Sequence, residues 1–225
     1  MNQDYNHLCQ ALGYHFKQPE HLTTALTHRS VGTPHNERLE FLGDALLNCI
    51  TAKMLYERFP SAREGQLTRL RANLVKRDTL VKIAQRLELG KYLRLGDGEI
   101  KSGGAKRTST LADAVEAIIG AIYLDSDMKT CQAVILPIWQ ESLSKLSLEK
   151  IKDPKTRLQE YLQERQQTLP IYRVLSTSGT PHEQHFEVEC RIPYLKEPTY
   201  GSGHSRRRAE QSAAAKVLSI LNVIK

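Results

Sequence analysis

Two stretches of this sequence set pairs of acids among leucines, isoleucines and alanines. In NERLEFLGDALLNCI, residues 36 to 50, Leu39, Leu42, Leu46 and Ile50 follow the spacing of a buried helical stripe, and Glu37, Glu40 and Asp44 form a second line beside it. In TLADAVEAIIGAIYLD, residues 110 to 125, Leu111, Val115, Ile118, Ile119 and Ile122 make a wide apolar surface, while Asp113 and Glu116 share a face with Gly120. Gly43 and Gly120 sit where alanine would favour the helix by about 1 kcal/mol, and close approach of two backbones would account for both. If the helices face each other, Glu40, Asp44, Asp113 and Glu116 form a cluster of four carboxylates. Like charges near a core raise one another's pKa values, and burial further disfavours the ionised form. A cation resolves the conflict. Oxygen ligands without histidine or cysteine suit Mg2+ or Mn2+ over zinc, and such an ion can activate water and stabilise charge developing on a phosphodiester. Acids at these spacings also describe an ordinary solvated helix face, so the pattern alone leaves both readings open.

The elements that position these acids must come from a chain of 225 residues, 40% of them hydrophobic, long enough for one large domain or for about 150 residues plus a small one. There is no run of about 18 apolar residues, and MNQDYNHLCQALGYHF lacks the regions of a signal peptide, so a cytoplasmic protein with no membrane span is expected. Cys9, Cys49, Cys131 and Cys190 have no short spacing, which argues against a disulfide framework or a structural zinc site and reads as buried small hydrophobes. The net charge of +7 favours a polyanionic partner; residues 1–150 carry net +3 and the shorter 151–225 carry net +4.

Up to about residue 145 the pattern is helical, with helices expected over 5–12, 19–28, 36–58, 65–74, 78–88, 109–124 and 129–146. The glycine-rich LRLGDGEIKSGGAKRT, 93–108, reads as a loop offering Lys101, Lys106 and Arg107 as flexible contacts. After a polar, linker-like stretch at 147–156 the periodicity changes. A helix opening at Pro154 is followed by three strand-like runs, IYRVLSTS, HFEVECRI and PTYGSGH, and by an alanine-rich helix from about Ser205 to Leu221. In the central run Phe186, Val188, Cys190 and Ile192 alternate with Glu187, Glu189 and Arg191. Arg206, Arg207 and Arg208 open the last helix, where the helix N-terminus itself favours anions, although by composition alone a charge run of this kind is more often a solvated helix start.

HNERLEFLGDALL closely resembles the signature of the ribonuclease III family, and LADAVEAIIGAIYLD resembles that family's second catalytic segment. The resemblance continues through LTHRS at 26–30, EGQLTRLRANLV at 64–75 and LRLGDGEIKSGG at 93–104. It implies an all-α endonuclease domain over 1–148, a linker at 149–153 and a small α-β-β-β-α domain over 154–225. It implies an endoribonuclease that cleaves double-stranded RNA by metal-dependent hydrolysis to 5′-phosphate and 3′-hydroxyl ends, processing ribosomal precursors and other structured RNAs, messenger and transfer RNA among them. Glu40, Asp44, Asp113 and Glu116 match the family's acidic centre, with Mg2+ as cofactor and Mn2+ as its substitute. Glu37 and Glu64 match acids along the catalytic valley. The family's homodimer is implied as well, with Phe41, Leu42 and Leu26 as candidate parts of its surface.

The C-terminal part resembles a double-stranded-RNA-binding domain. By that resemblance Thr156, Gln159 and Glu160 meet one minor groove, where 2′-hydroxyls mark RNA, and His182 enters the next, with Phe186 in the core. Arg206, Arg207 and Arg208 then straddle the intervening phosphates, arginines standing where lysines are usual. Recognition of A-form shape and backbone, strongly dependent on salt, is expected. Two rivals are a non-cleaving double-stranded-RNA-binding assembly protein, which would be marked by loss of an acid, and a phosphohydrolase of small substrates, which leaves the second domain without a purpose.

Overall fold

A computed structural model describes residues 5–144, 146, 154–180, 183–193 and 195–223. The expected linker at 149–153 and His182 lie outside the described residues. The chain divides into two compact units, Met1–Leu148 and Glu149–Lys225.

The first unit is all helical. Its described helices are α1 (Asn6–Leu12), α2 (Pro19–Ala25), α3 (Glu37–Arg58), α4 (Glu64–Val75), α5 (Arg77–Arg86), α6 (Asp97–Lys101), α7 (Thr108–Asp125) and α8 (Met128–Ser144), with short 3-10 turns at Arg29–Val31, Leu89–Lys91 and Gly104–Lys106. The spine is α7, apolar almost all round and buried along most of its length, with α2, α3, α5 and α8 packed on it. A helix of that composition is stable only inside a shell of others. Trp139 on α8 is buried and donates its indole N–H to the Leu74 carbonyl at 3.2 Å, tying α8 to the end of α4. At the far end of α7 the buried carboxylate of Asp125 accepts from the Tyr14 hydroxyl at 2.6 Å and from the backbone N–H groups of Lys17 and Gln18 at 2.8 and 2.9 Å. Burial opposes the Asp125 charge, yet these three donors hold its pKa below the usual range; burial and the bond to Asp125 push Tyr14 up to about 12.

Two expectations fail here. The segment 93–108 is not an open loop: α6 and the Gly104–Lys106 turn fold it back on itself, with the Arg107 guanidinium paired to Glu99 and bonded to the Ser102 hydroxyl at 3.1 Å. A side chain at Gly104 would meet Glu99, so glycine is what lets the turn close. Leu26 is fully buried and offers no surface to a partner.

The second unit runs α9 (Pro154–Glu164), β1 (Ile171–Ser178), β2 (His185–Arg191), β3 (Thr199–Gly203) and α10 (Arg206–Ile220). The strands form one antiparallel sheet in the order β1-β2-β3, with Val174 opposite Val188 and Cys190 opposite Thr199. Both helices serve one core, built from Leu158, Leu162, Cys190, Ile192, Val217 and Leu218. The alanines of α10 allow close docking on β3, where Gly201 leaves no room for a methyl against Ala209 and Ala213. Phe186, expected in the core, is only half buried and is not among the residues of that cluster.

Candidate active site

The acids meet because α3 and α7 touch through backbone. A methyl at Gly43 would overlap the carbonyl of Glu116, and one at Gly120 would overlap that of Leu39. Only glycine at both positions allows this crossing. It sets Glu40 of α3 beside Asp113 and Glu116 of α7, all half buried, with one carboxylate oxygen from each lying within 4.8 Å of the others. Three oxygens converging at that distance, with no described cation among them, fit a hard divalent ion.

Asp44, expected as a fourth member, is not in this trio. It is exposed one turn further along α3, and its Oδ1 accepts from the Asn48 side chain at 2.9 Å. Its charge still reaches the site. Glu116 is pushed up to about 7, first by burial and then by the charges of Asp44, Glu40 and Asp113, with Arg77 opposing. Burial raises Glu40 as well, followed by the charge of Asp113. Asp113 is raised by burial and partly relieved by Arg77, His28 and Arg29. Without a metal these carboxylates are crowded with charge that their surroundings do not neutralise.

Glu40 and Asp113 form part of the wall of a cleft of about 510 Å³, which His28, Arg29, Glu37 and Arg107 also line. Glu37 lies at the exposed rim, paired with Arg29 at 3.1 Å and 3.8 Å from His35. Glu64 is the first residue of α4 and accepts from the Thr68 hydroxyl at 2.7 Å; the structure does not bring it to the trio. Asn36 is buried where the chain enters α3, its N–H donating to the Thr27 carbonyl at 2.9 Å. Sequence reasoning missed Arg77 and His28. Arg77 reads as an ordinary basic residue at a helix start, and His28 lies in a turn with no periodicity to mark it.

In the second unit Gln159 is exposed on α9, while Thr156 and Glu160 are half buried. Arg206, Arg207 and Arg208 are exposed in the first turn of α10, which Ser205 caps by accepting from the Arg208 N–H at 3.3 Å. Arg206 is also bound within its own helix. Its Nε donates to Glu210 at 3.0 Å, and the other oxygen of Glu210 takes the Lys155 ammonium from α9 at 2.6 Å. Burial works against the Glu210 charge, but the bonds from Lys155 and Arg206 outweigh it and hold the pKa low. Among the described residues no helix is long and apolar enough to cross a membrane.

Comparison with known proteins identifies both units. Residues 18–142 match the Ribonuclease-III-like family model and residues 154–221 the double-stranded RNA binding motif. The chain is 55% identical over 224 residues to Ribonuclease 3 of Hahella chejuensis, covering 99% of both chains. It is 53% identical over 214 residues to Ribonuclease 3 of Xylella fastidiosa strain M23, covering 95% of this chain and 94% of that one. The solved nuclease domain of ribonuclease III from Campylobacter jejuni superposes with a TM-score of 0.61 at 39% identity, over 63% of this chain and 99% of that domain. With a helical unit built around an acidic trio and a second unit that matches an RNA-binding motif, the chain belongs to the ribonuclease III family, enzymes that cut double-stranded RNA.

Proposed function

We propose that this enzyme hydrolyses phosphodiester bonds in both strands of duplex RNA, leaving 5′-phosphate and 3′-hydroxyl ends. The observation that carries this reading is the half-buried trio Glu40, Asp113 and Glu116, in a chain whose other unit matches the double-stranded RNA binding motif. These three acids hold Mg2+, or Mn2+ in its place, with Asp44 as the fourth acid of the centre. Held there, the metal would supply Lewis-acid chemistry, polarising a water and offsetting negative charge on the phosphate oxygens. The chain's part is to hold three oxygens in place on a backbone-locked helix pair, so that little reorganisation accompanies the reaction. Glu37 lines the approach to this centre, and Glu64 acts from α4 beside the cut strand.

In the second unit, bounded at 154–225 after the linker 149–153 and the nuclease domain 1–148, Thr156, Gln159, Glu160 and His182 read two minor grooves. Arg206, Arg207 and Arg208 bind the phosphates between them. Substrates are ribosomal precursors and other folded transcripts, including messenger and transfer RNA precursors, in the cytoplasm. Two copies pair through the nuclease domain. Phe41, 80% exposed on α3, and the adjoining Leu42 supply part of that surface. The solved Campylobacter jejuni domain is described as having a region involved in dimer formation.

Incubation of a duplex RNA with the purified protein and Mg2+, beside the E116Q variant, tests the proposal. Cutting by the natural chain and binding without cutting by E116Q is the expected pair of results. Binding by both with cutting by neither would leave a duplex-binding assembly protein and end the nuclease reading.

A further inference from the structure

His28 sits just before the Arg29–Val31 turn, in the wall of the cleft that holds Glu40 and Asp113. The backbone N–H of Ser30 donates to His28 Nδ1 at 3.2 Å, and the Ser30 hydroxyl lies 2.8 Å from the same nitrogen. A backbone amide can only donate, so Nδ1 is an acceptor and carries no proton. The Ser30 oxygen itself accepts from the Gly96 N–H at 2.9 Å, which leaves the hydroxyl proton free to point at Nδ1. Donation therefore runs from Gly96 to Ser30 to His28 and ends on the ring. In the neutral imidazole the proton must then reside on Nε2.

The mounting of this ring is stiff. Gly96 lies so close to the Ser30 carbonyl that a methyl there would overlap it, and His28 and Arg94 are joined by a backbone bond of 2.9 Å. Nε2 makes no hydrogen bond among the described residues. Here a fixed donor lines the same cleft as Glu40 and Asp113. The same cleft is lined by two arginines, Arg29 and Arg107, a setting suited to phosphate.

We propose that His28 orients the substrate: its Nε2–H donates to a non-bridging phosphate oxygen of the RNA strand in the cleft and fixes that strand against the carboxylates. The proposal rests on reading the acidic trio as the cleavage centre.

Two substitutions separate this role from a structural one. In H28N the side-chain oxygen can still accept from Ser30, but no donor reaches the Nε2 position; in H28Q a donor amide reaches outward while the link to Ser30 is disturbed. For a lost hydrogen bond to a charged group, kcat/KM of H28N falls roughly 10–100-fold with unchanged Tm, and H28Q stays within about threefold of the natural enzyme. A structural role predicts the opposite order. That order, equal losses in the two variants, or full activity in H28N would overturn the proposal. Nitrogen-15 NMR of the natural chain gives a second arm that needs no turnover. Nε2 should be the protonated nitrogen, and its signal should move when duplex RNA is added without divalent metal; the other tautomer, or an unmoved signal, also overturns it. A natural chain that cuts no RNA counts against the cleavage reading, and the NMR arm still decides His28.

Discussion

Gly43 packs against the backbone carbonyl of Glu116 so closely that no methyl group fits between them. The carbonyl belongs to one of the three acids of the centre, so the spacing of α3 and α7 and the placement of the site are one structural fact. In an isolated helix, Gly43→Ala would be favourable by about 1 kcal/mol. Here it should do the reverse. Overpacking of two backbones destabilises by roughly 1–3 kcal/mol, so G43A should lower Tm by several degrees and reduce cleavage well beyond what the stability loss explains. A Tm at or above that of the natural chain would show that the helices are not in this contact.

Glu116 gives a prediction about metal-free protein. Its pKa is raised from 4.5 to about 7 on folding, so between those values the folded chain binds the extra proton and stability falls as pH rises through the window. E116Q removes the burdened charge. At pH 8 without metal the variant should melt higher, by roughly 2–4 °C, the shift that about 1 kcal/mol produces in a chain of this size. Near pH 5 the two should converge. Added Mg2+ should raise the Tm of the natural chain far more than that of E116Q, and scanning calorimetry at the two pH values with and without the ion measures all of this.

Asp125 predicts the opposite slope. Its pKa is lowered in the fold, so its stabilisation is complete above the unfolded carboxylate value, about 3.9, and fades as pH falls through the folded one. D125A strands the Tyr14 hydroxyl and two backbone N–H groups, at a cost of roughly 2–4 kcal/mol at pH 7. The gap to the natural chain should narrow below pH 4 in acid unfolding curves. A constant gap would mean that the carboxylate charge contributes nothing.

For the second unit, R206A/R207A should weaken duplex binding in gel shifts and make the fall of affinity with salt shallower by about one to two charges. Arg206 also bonds the buried Glu210, so the double variant should lose some melting temperature as well, and the gel shifts compare the two proteins at a temperature where both are folded. Unchanged affinity at physiological salt would displace the phosphate contacts from α10.

How far the sequence foretold the fold depends on the range of the forces involved. Helices α3 and α7 and their mutual contact were legible, because glycines and acids repeat at helical spacing inside apolar stripes. The alternation of Val188, Cys190 and Ile192 likewise announced the sheet. The folding of α6 was not legible, since it rests on contacts that local periodicity does not record: the pairing of Arg107 with Glu99 and the closure at Gly104. Asp125 looked like an ordinary helix end, as its partners Tyr14, Lys17 and Gln18 lie more than a hundred residues away in the chain. At the site, acid identity was readable, but spacing could not tell that Asp44 faces solvent while Glu40 turns to the trio. The mounting of His28 depends on a hydrogen-bond chain through Ser30 and Gly96, which no local pattern encodes.

The ion triad of Lys155, Glu210 and Arg206 has a consequence for shape selection. Glu210 is 6% exposed and joins the first turn of α9 to the first turn of α10. Those turns carry the proposed minor-groove and phosphate contacts. With that buried carboxylate as a rivet, the two sets of contacts cannot adjust their separation independently. The unit works as a fixed gauge: a duplex whose groove and phosphates match it is gripped at both points, and a helix of another form meets only one.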